Sequence, residues 1–121
     1  MPHLRIEYST NIAGRFDPAA VLAATTDALV ASGVFDPPDA IKARLMPAPH
    51  FRVGSGADHG FIHAGLALLA GRDAATKQRL TAALVDAIAP LVAAGPQVVQ
   101  ITSEARDMDR DTYSKRLLPG A

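Results

Sequence analysis

Residues 2–9 have the sequence Pro-His-Leu-Arg-Ile-Glu-Tyr-Ser, in which apolar and polar side chains alternate from Leu4 onward. This period of two predicts a β-strand with one face more deeply buried than the other. Pro2 is in register with Leu4 and Ile6, so its side of the strand is predicted to face inward. If Met1 is removed, the Pro2 nitrogen becomes a secondary amine at the edge of a packed core.

The remaining elements are predicted from alternation, helical periodicity and capping residues. In chain order they are a helix from Pro18 to about Ala31 with Asp17 as N-cap, strands at 41–46 and 61–70, a helix that follows Asp73 and ends at Gly95-Pro96, and a strand at 98–104. Proline and glycine in residues 47–60 favour a loop or irregular hairpin. Pro90 should kink or weaken the last turn of the second helix, because proline has no backbone donor.

Each helix carries apolar side chains suited to packing on a sheet. The predicted sheet-facing residues are Val21, Leu22, Leu29 and Val30 in the first helix, and Leu80, Leu84, Ala87, Ile88 and Leu91 in the second.

The strand–helix–strand order occurs twice, at a spacing of roughly 60 residues, which indicates an internal repeat. We therefore predict a single domain, residues 1–121, built from two βαβ repeats at about 1–57 and 58–121. The expected fold is α/β (α+β), with a four-stranded mixed sheet and both helices on one face. The other face has no helix, and we expect it to pack against other subunits around a symmetry axis.

Composition excludes several classes of protein. Twelve basic and twelve acidic side chains are scattered along the 121 residues, so the chain lacks the charge pattern of a nucleic-acid binder. The absence of cysteine excludes disulfides, thiolate metal sites and cysteine nucleophiles. No apolar run reaches the roughly 18 residues that a membrane span needs, and we expect a cytoplasmic protein.

The histidines do not predict a metal site. His59 and His63 are four residues apart, but on a strand this spacing separates them by about 13 Å, too far for one ion. His3 and His50 are interpreted as solvent-exposed or structural polar residues. Serine-nucleophile motifs are absent, and Gly54-Ser55-Gly56 is interpreted as a loop rather than a phosphate cradle.

Three cations remain as candidates for binding an anion. Lys42 and Arg44 share one face of the strand at 41–46, where they either point to water or hold an anion. Arg72 precedes the second helix, where it is either a surface residue or part of a site that is divided between the two repeats.

Two stretches of the chain resemble the tautomerase superfamily. They are Met-Pro-His followed by an apolar strand, and Leu-Ala-Gly-Arg-Asp-Ala-Ala-Thr-Lys-Gln-Arg-Leu at 69–80. The doubled length, Ser-Gly-Val-Phe at 32–35, the strand at 41–44 and Phe-Ile-His at 61–63 are similar to the 5-carboxymethyl-2-hydroxymuconate isomerase family, whose members are trimers of doubled units. The resemblance covers most of the chain and is weak after Asp107.

The resemblance implies proton transfer without a cofactor or a metal. Pro2 would be the general base that removes the hydroxyl proton of a small carboxylated dienol, giving an unsaturated ketone in homoprotocatechuate breakdown. Arg72 would bind a substrate carboxylate, and Arg44 would bind another or polarise the developing oxyanion. Lys42 occupies a position where the family suggests arginine, so it keeps the charge but loses the bidentate fork. A homotrimer is implied as well.

This chemistry requires the loss of Met1, because a retained methionine would make the Pro2 nitrogen a tertiary amide. Proline in the second position favours that removal. A dehalogenase or decarboxylase of the same superfamily, with Glu7 or Tyr8 activating water, is a rival hypothesis, as is a non-catalytic trimeric binding protein. In the C-terminal tail we expect Leu117 and Leu118 to dock, with a neighbouring subunit as the candidate partner.

Overall fold

A computed structural model describes residues 1–56 and 58–120 of the chain. It contains strands β1 (His3–Ser9), β2 (Lys42–Ala48), β3 (His59–Leu69) and β4 (Val98–Met108), helices α1 (Pro18–Ala31) and α2 (Ala74–Ile88), and short 3₁₀ helices at Thr10–Arg15, Pro38–Ala40 and Ala89–Leu91. None of the helices in this part of the chain is long and apolar enough to cross a membrane.

The four strands form one mixed sheet in the order β2-β1-β3-β4. β1 is parallel to β2 and antiparallel to β3, and β3 is parallel to β4. This arrangement confirms the predicted mixed sheet. It also brings the starts of β1 and β2 to the same end of the sheet as the ends of β3 and β4.

Both helices cover one face of this sheet. Leu4 and Ile6 of β1 are fully buried in a core that also contains Leu80 and Leu84 of α2 and Leu29 of α1. The opposite face, called the open face below, has no helix. It carries His3, Arg5 and Glu7 of β1, Lys42, Arg44 and Met46 of β2, His63, Gly65 and Ala67 of β3, and Thr102, Glu104 and Arg106 of β4.

The structure corrects the predicted apolar face of α1. Val21, Thr25 and Leu29 are fully buried, whereas Val30 is 41% exposed. Residues i, i+4 and i+8 share one face of a helix, and the next residue is rotated by about 100° away from it. The buried Thr25 hydroxyl is satisfied by donating to the Val21 carbonyl at 2.7 Å.

The end of α2 was predicted too far along the chain. The helix ends at Ile88, and Pro90 lies in the 3₁₀ helix that follows, instead of kinking a helix that continues to Gly95-Pro96. Proline lacks the N–H that an α-helix interior needs, so the α-helical bonding stops before it.

The limits of β2, β3 and β4 also differ from prediction. β3 starts at His59 rather than residue 61, and β4 runs to Met108 rather than residue 104. These two strands pair along their whole length, from His59 opposite Val98 to Leu69 opposite Met108. Hydrogen bonding to the neighbouring strand therefore extends each one beyond its alternating stretch. β2 starts one residue late and continues through Pro47, which is tolerated because β2 is an edge strand.

The strand–helix–strand order occurs twice, as β1-α1-β2 and β3-α2-β4, around one buried cluster. The division of residues 1–121 into two βαβ repeats of a single domain stays a proposal. Its boundary falls at Ala57, which lies outside the described residues, as does Ala121 at the end of the tail.

Candidate active site

The candidate site lies at the end of the sheet where β1 and β2 begin. Pro2 is buried directly before β1, and its carbonyl accepts a hydrogen bond from the Lys42 backbone N–H at 3.1 Å. Arg72 follows the end of β3, which is antiparallel to β1 and therefore ends beside the start of β1. The topology thus brings Pro2, Lys42 and Arg72 to one end of the sheet.

The N-terminal amine reports the electrostatics of this region. The Met1 amine donates a hydrogen bond to the Ala40 carbonyl at 2.6 Å. Burial, followed by the positive charges of Lys42, Lys115 and Arg72, lowers the pKa of this amine from 8.0 to about 5. Both causes act against the ammonium form, because burial removes water and nearby cations repel a further positive charge.

Arg72 is held in place from two sides and is half-buried. Its Nη1 donates to the Leu69 carbonyl at 3.0 Å, and its guanidinium carbon lies 5.5 Å from the centre of the Phe35 ring. Phe35 is only 6% exposed, so this cation–π contact is formed against a buried ring. These contacts orient the guanidinium. Neither partner is a carboxylate, so the positive charge of Arg72 is not neutralised.

The candidate cations lack ion-pair partners within the described part of the chain. The ion pairs formed there join His63 to Glu104 and Lys77 to Asp107. Lys42, Arg44 and Arg72 therefore keep uncompensated charges at one end of the sheet. Such a cluster can stabilise a ligand with several carboxylates.

Arg44 lies on the open face and contacts the residue after Pro2. Its Nη2 is 2.8 Å from Nδ1 of His3, and Nε2 of His3 is 3.1 Å from the hydroxyl oxygen of Tyr113. His3 is half-buried, so it has the structural polar role that was one of the two alternatives. Arg44 is thus linked to the candidate site by its contact with His3. It is not among the cations that lower the pKa of the Met1 amine.

The C-terminal segment supplies residues that sequence reasoning missed. Tyr113 packs edge-on against His3, with ring centres 6.2 Å apart, and Lys115 is one of the cations that lower the pKa of the Met1 amine. Arg110 anchors the start of this segment by donating from Nε to the Ala70 carbonyl. No spacing or motif in the sequence connects these residues with the first strand.

His59 and His63 have structural partners on the open face, whereas His50 is exposed, which was one of its two predicted alternatives. His63 contacts the Thr102 hydroxyl at 2.7 Å and the Glu104 carboxylate at 3.7 Å, and His59 lies 3.3 Å from the Gln100 amide nitrogen. Across residues 1–56 and 58–120, no group of three or more His, Cys, Asp or Glu residues could hold a metal ion.

A depression of about 220 Å³ lies on the open face, lined in part by Arg5, Glu7, Glu104 and Arg106. It shares His3 with the candidate site but lacks Pro2 and the three predicted cations among its lining residues. Its two carboxylates balance its two guanidinium groups, so it has no excess of positive charge to attract an anionic substrate, whereas the end of the sheet has one.

The comparisons with known proteins agree with this geometry. The family model of 5-carboxymethyl-2-hydroxymuconate isomerase matches residues 2–116. The structure is similar to a crystal structure of 5-carboxymethyl-2-hydroxymuconate delta-isomerase, with 25% identity, a TM-score of 0.79, and coverage of 97% of this chain and 88% of that chain.

Two further solved structures share the fold. A 5-carboxymethyl-2-hydroxymuconate isomerase from Deinococcus radiodurans R1 has 23% identity and a TM-score of 0.82, with 95% of this chain and 88% of that chain covered. A fused 4-OT described as a symmetric trimer has 24% identity and a TM-score of 0.70, with coverage of 90% and 87% respectively. A search of curated protein sequences found no significant match.

The buried proline before β1, the mixed sheet and a family match over nearly the whole chain lead to one conclusion: this chain belongs to the 5-carboxymethyl-2-hydroxymuconate isomerase family, whose activity is a cofactor-independent isomerisation.

Proposed function

We propose that the chain converts a carboxylated dienol, such as 5-carboxymethyl-2-hydroxymuconate, to its unsaturated ketone with Pro2 as the proton carrier. The observation that carries the proposal is the group of cations without carboxylate partners around a buried N-terminal proline position. Substrates of this kind arise in homoprotocatechuate breakdown, so the proposal includes that pathway and the cytoplasm as its place.

The reaction moves one proton from an oxygen to a carbon of the substrate, which is neither oxidised nor reduced. The neutral Pro2 amine takes the 2-hydroxyl proton, and the electron pair of the broken O–H bond forms the carbonyl. The conjugated double bonds shift, and a carbon of the former dienol takes a proton from the Pro2 ammonium. The amine is then neutral again, so each turnover restores the base.

The surroundings of the N-terminus favour a neutral amine. An α-amino group ordinarily titrates near pH 8. Burial and the charges of Lys42, Lys115 and Arg72 lower the pKa of the Met1 amine to about 5. After loss of Met1, the Pro2 amine lies one residue further into the same surroundings, so we infer that its pKa is lowered for the same reasons and that it is a free base at neutral pH.

The cations have separate roles in this proposal. Arg72 binds a substrate carboxylate through its planar fork, pre-oriented by Leu69 and Phe35. Arg44 binds a second carboxylate or stabilises charge on the carbonyl oxygen. Lys42 contributes a positive charge close to the amine without a bidentate grip.

The proposal includes a homotrimer. β2 and β4 are the outer strands of the sheet, and their outer edges have no strand partner within residues 1–56 and 58–120. Val98, Leu117 and Leu118 are 56%, 81% and 83% exposed, which leaves apolar surface for other copies to cover. The similar fused 4-OT is a symmetric trimer.

The test follows the ultraviolet band of a 2-hydroxymuconate-type dienol. Protein whose intact mass shows loss of Met1 should remove this band, and Pro2→Ala should slow the removal by at least about 100-fold, because general-base catalysis contributes about that much. Pro18→Ala, at the first position of α1, is the matched control and should keep the activity. Equal rates for the unmodified protein and Pro2→Ala would reject proline catalysis, as would full activity in protein that retains Met1.

A further inference from the structure

His3 joins two parts of the chain that are far apart in sequence. One ring nitrogen contacts Arg44 of β2, and the other contacts Tyr113 of the C-terminal segment, 110 residues away. A guanidinium has five N–H groups and no lone pair for accepting, so it only donates. Nδ1 of His3 must therefore be the acceptor of the 2.8 Å bond, and it carries no proton.

This assignment also determines which nitrogen of the ring carries the proton. A neutral imidazole has one N–H, and with Nδ1 unprotonated that N–H is on Nε2. Nε2 then donates to the hydroxyl oxygen of Tyr113 at 3.1 Å. The direction of the chain is thus Arg44 to His3 to Tyr113, and Tyr113 holds the ring in the tautomer that Arg44 requires.

We propose that His3 is a positioning residue that orients the Arg44 guanidinium for an anionic ligand, and that protonation of His3 releases Arg44. A proton on Nδ1 would face the Arg44 N–H group, replacing an attraction by a repulsion between two donors and two positive charges. The proposal rests on the proposed role of Arg44 in the site.

The surroundings of His3 favour its neutral form. Burial, followed by the charges of Lys42, Arg44 and the N-terminal amine, lowers the pKa of His3 from its ordinary value of 6.5. The titratable and charged groups that face it are Arg5 and Glu7 of its own strand, Lys42 and Arg44 of β2, His63 of β3, Glu104 and Arg106 of β4, Tyr113 of the C-terminal segment and the Met1 amine. The charges among these that shift its pKa are all positive, so Arg44 stays oriented at neutral pH and is released only in acid.

Ligand binding tests the proposal without turnover. The probe is muconate, a conjugated dicarboxylate that lacks the dienol hydroxyl, titrated by calorimetry. His3→Asn keeps an acceptor on Cγ where Nδ1 was, and it cannot be protonated, so its Kd at about pH 7.5 should stay within about threefold of the unmodified protein. His3→Leu has no acceptor and should bind roughly 3- to 10-fold more weakly, the loss expected for one hydrogen bond.

The pH profile separates positioning from a merely structural role. As the pH falls from about 7.5 to below the lowered pKa of His3, the unmodified protein should lose affinity relative to His3→Asn by a similar factor, because position 3 titrates only in the unmodified protein. Parallel pH profiles for the two proteins would overturn the proposal. So would equal affinity of His3→Leu and the unmodified protein.

Two further measurements keep the inference separate from the proposed function. A long-range nitrogen–proton NMR spectrum above pH 7, with His3 signals assigned by their loss in His3→Asn, should show Nε2 protonated and Nδ1 unprotonated; the opposite tautomer would overturn the inference. Arg44→Ala should weaken muconate binding about 10-fold or more. If it does and His3→Leu does not, the inference fails alone; if Arg44→Ala binds normally, the proposed role of Arg44 fails with it.

Discussion

At the scale of single residues, the candidate site brings together cations that are far apart in the sequence. Lys42 is the first residue of β2, Arg72 follows β3, and Lys115 lies in the C-terminal segment. The positive charges of all three nevertheless lower the pKa of the same N-terminal amine. Each unpaired cation is unfavourable for its neighbours, because like charges repel. The arrangement is stable against that repulsion only through other contacts, such as the stacking of Arg72 on Phe35.

Arg72 allows a prediction with two readouts. Arg72→Ala should raise KM by about 10- to 150-fold, the equivalent of the roughly 1.5–3 kcal/mol lost with one charged hydrogen-bonded contact. It should also shift the acid limb of the kcat/KM profile to higher pH, because removing a cation raises the pKa of the amine toward its ordinary value.

Arg72→Lys is the matched comparison for this prediction. It keeps the charge and loses the fork, so it should raise KM while leaving the pH profile nearly unchanged. Steady-state kinetics across pH would check both variants. An unchanged KM in Arg72→Ala would contradict the binding role, and an unshifted acid limb would contradict the electrostatic one.

At the scale of elements, close packing between β3 and the 3₁₀ helix at Thr10–Arg15 fixes the start of β3. A Cβ added at Gly60 would lie 2.6 Å from Cγ2 of Ile12 and 3.0 Å from both the side-chain Oδ1 of Asn11 and the Ser9 hydroxyl. The same region is tied by hydrogen bonds from Asn11 to the His59 carbonyl at 3.0 Å and from the Phe61 N–H to Ser9 at 2.9 Å. Glycine is the residue that this approach requires.

Gly60→Ala should therefore destabilise the fold by about 1–3 kcal/mol, the usual effect of overpacking a close contact. Gly14→Ala, in the same 3₁₀ helix, is the control, because no atom lies within 4 Å of its added Cβ. Denaturant unfolding monitored by circular dichroism would measure both. A Gly60→Ala midpoint equal to that of Gly14→Ala would show that the contact can relax at no cost.

At the scale of the whole molecule, the open face is not an apolar surface. An apolar surface is the kind that burial between subunits would most simply require. It carries charges of both signs, including Arg5, Glu7, Glu104 and Arg106. Charged groups at an interface are tolerated when they pair across it. The exposed leucines of the tail provide an apolar contribution to assembly that the open face lacks.

This difference leads to a prediction about the tail. Sedimentation equilibrium should give a mass three times the 12.6 kDa of one chain. Replacing both Leu117 and Leu118 by Asp should dissociate the assembly by roughly 100-fold or more in Kd, because burying each leucine contributes about 1.5–3 kcal/mol. The fold of the single chain should survive, since these side chains are 81% and 83% exposed within it.

Val30→Asp is the control for the tail variant, because Val30 is an exposed apolar residue on α1, away from the tail. It should keep the trimeric mass. A single-chain mass for the unmodified protein would reject the trimer, and an unchanged mass for the tail variant would reject docking of the leucines while leaving assembly by the strand edges in place.

The sequence by itself determined the type and the order of the two long helices and the four strands. Alternation in residues 2–9, the caps Asp17 and Asp73, and the periodic leucines of α2 are local signals, because each depends on residues within a few positions of one another. The same local patterns singled out Pro2 and Arg72 as candidates. These signals are readable without the fold because their physical cause lies within one element.

Only the tertiary structure decided what surrounds those candidates. Strand pairing extended β4 to Met108, and the C-terminal segment that follows brings Tyr113 to His3 across 110 residues and Lys115 near the N-terminal amine. Contacts of such separation depend on which elements become neighbours in the sheet, and a single sequence carries no periodic or capping signal for that. The cation cluster and the contact of Arg44 with His3 therefore depend on the topology of the sheet. Pro2, by contrast, is identified by its place directly before the first strand.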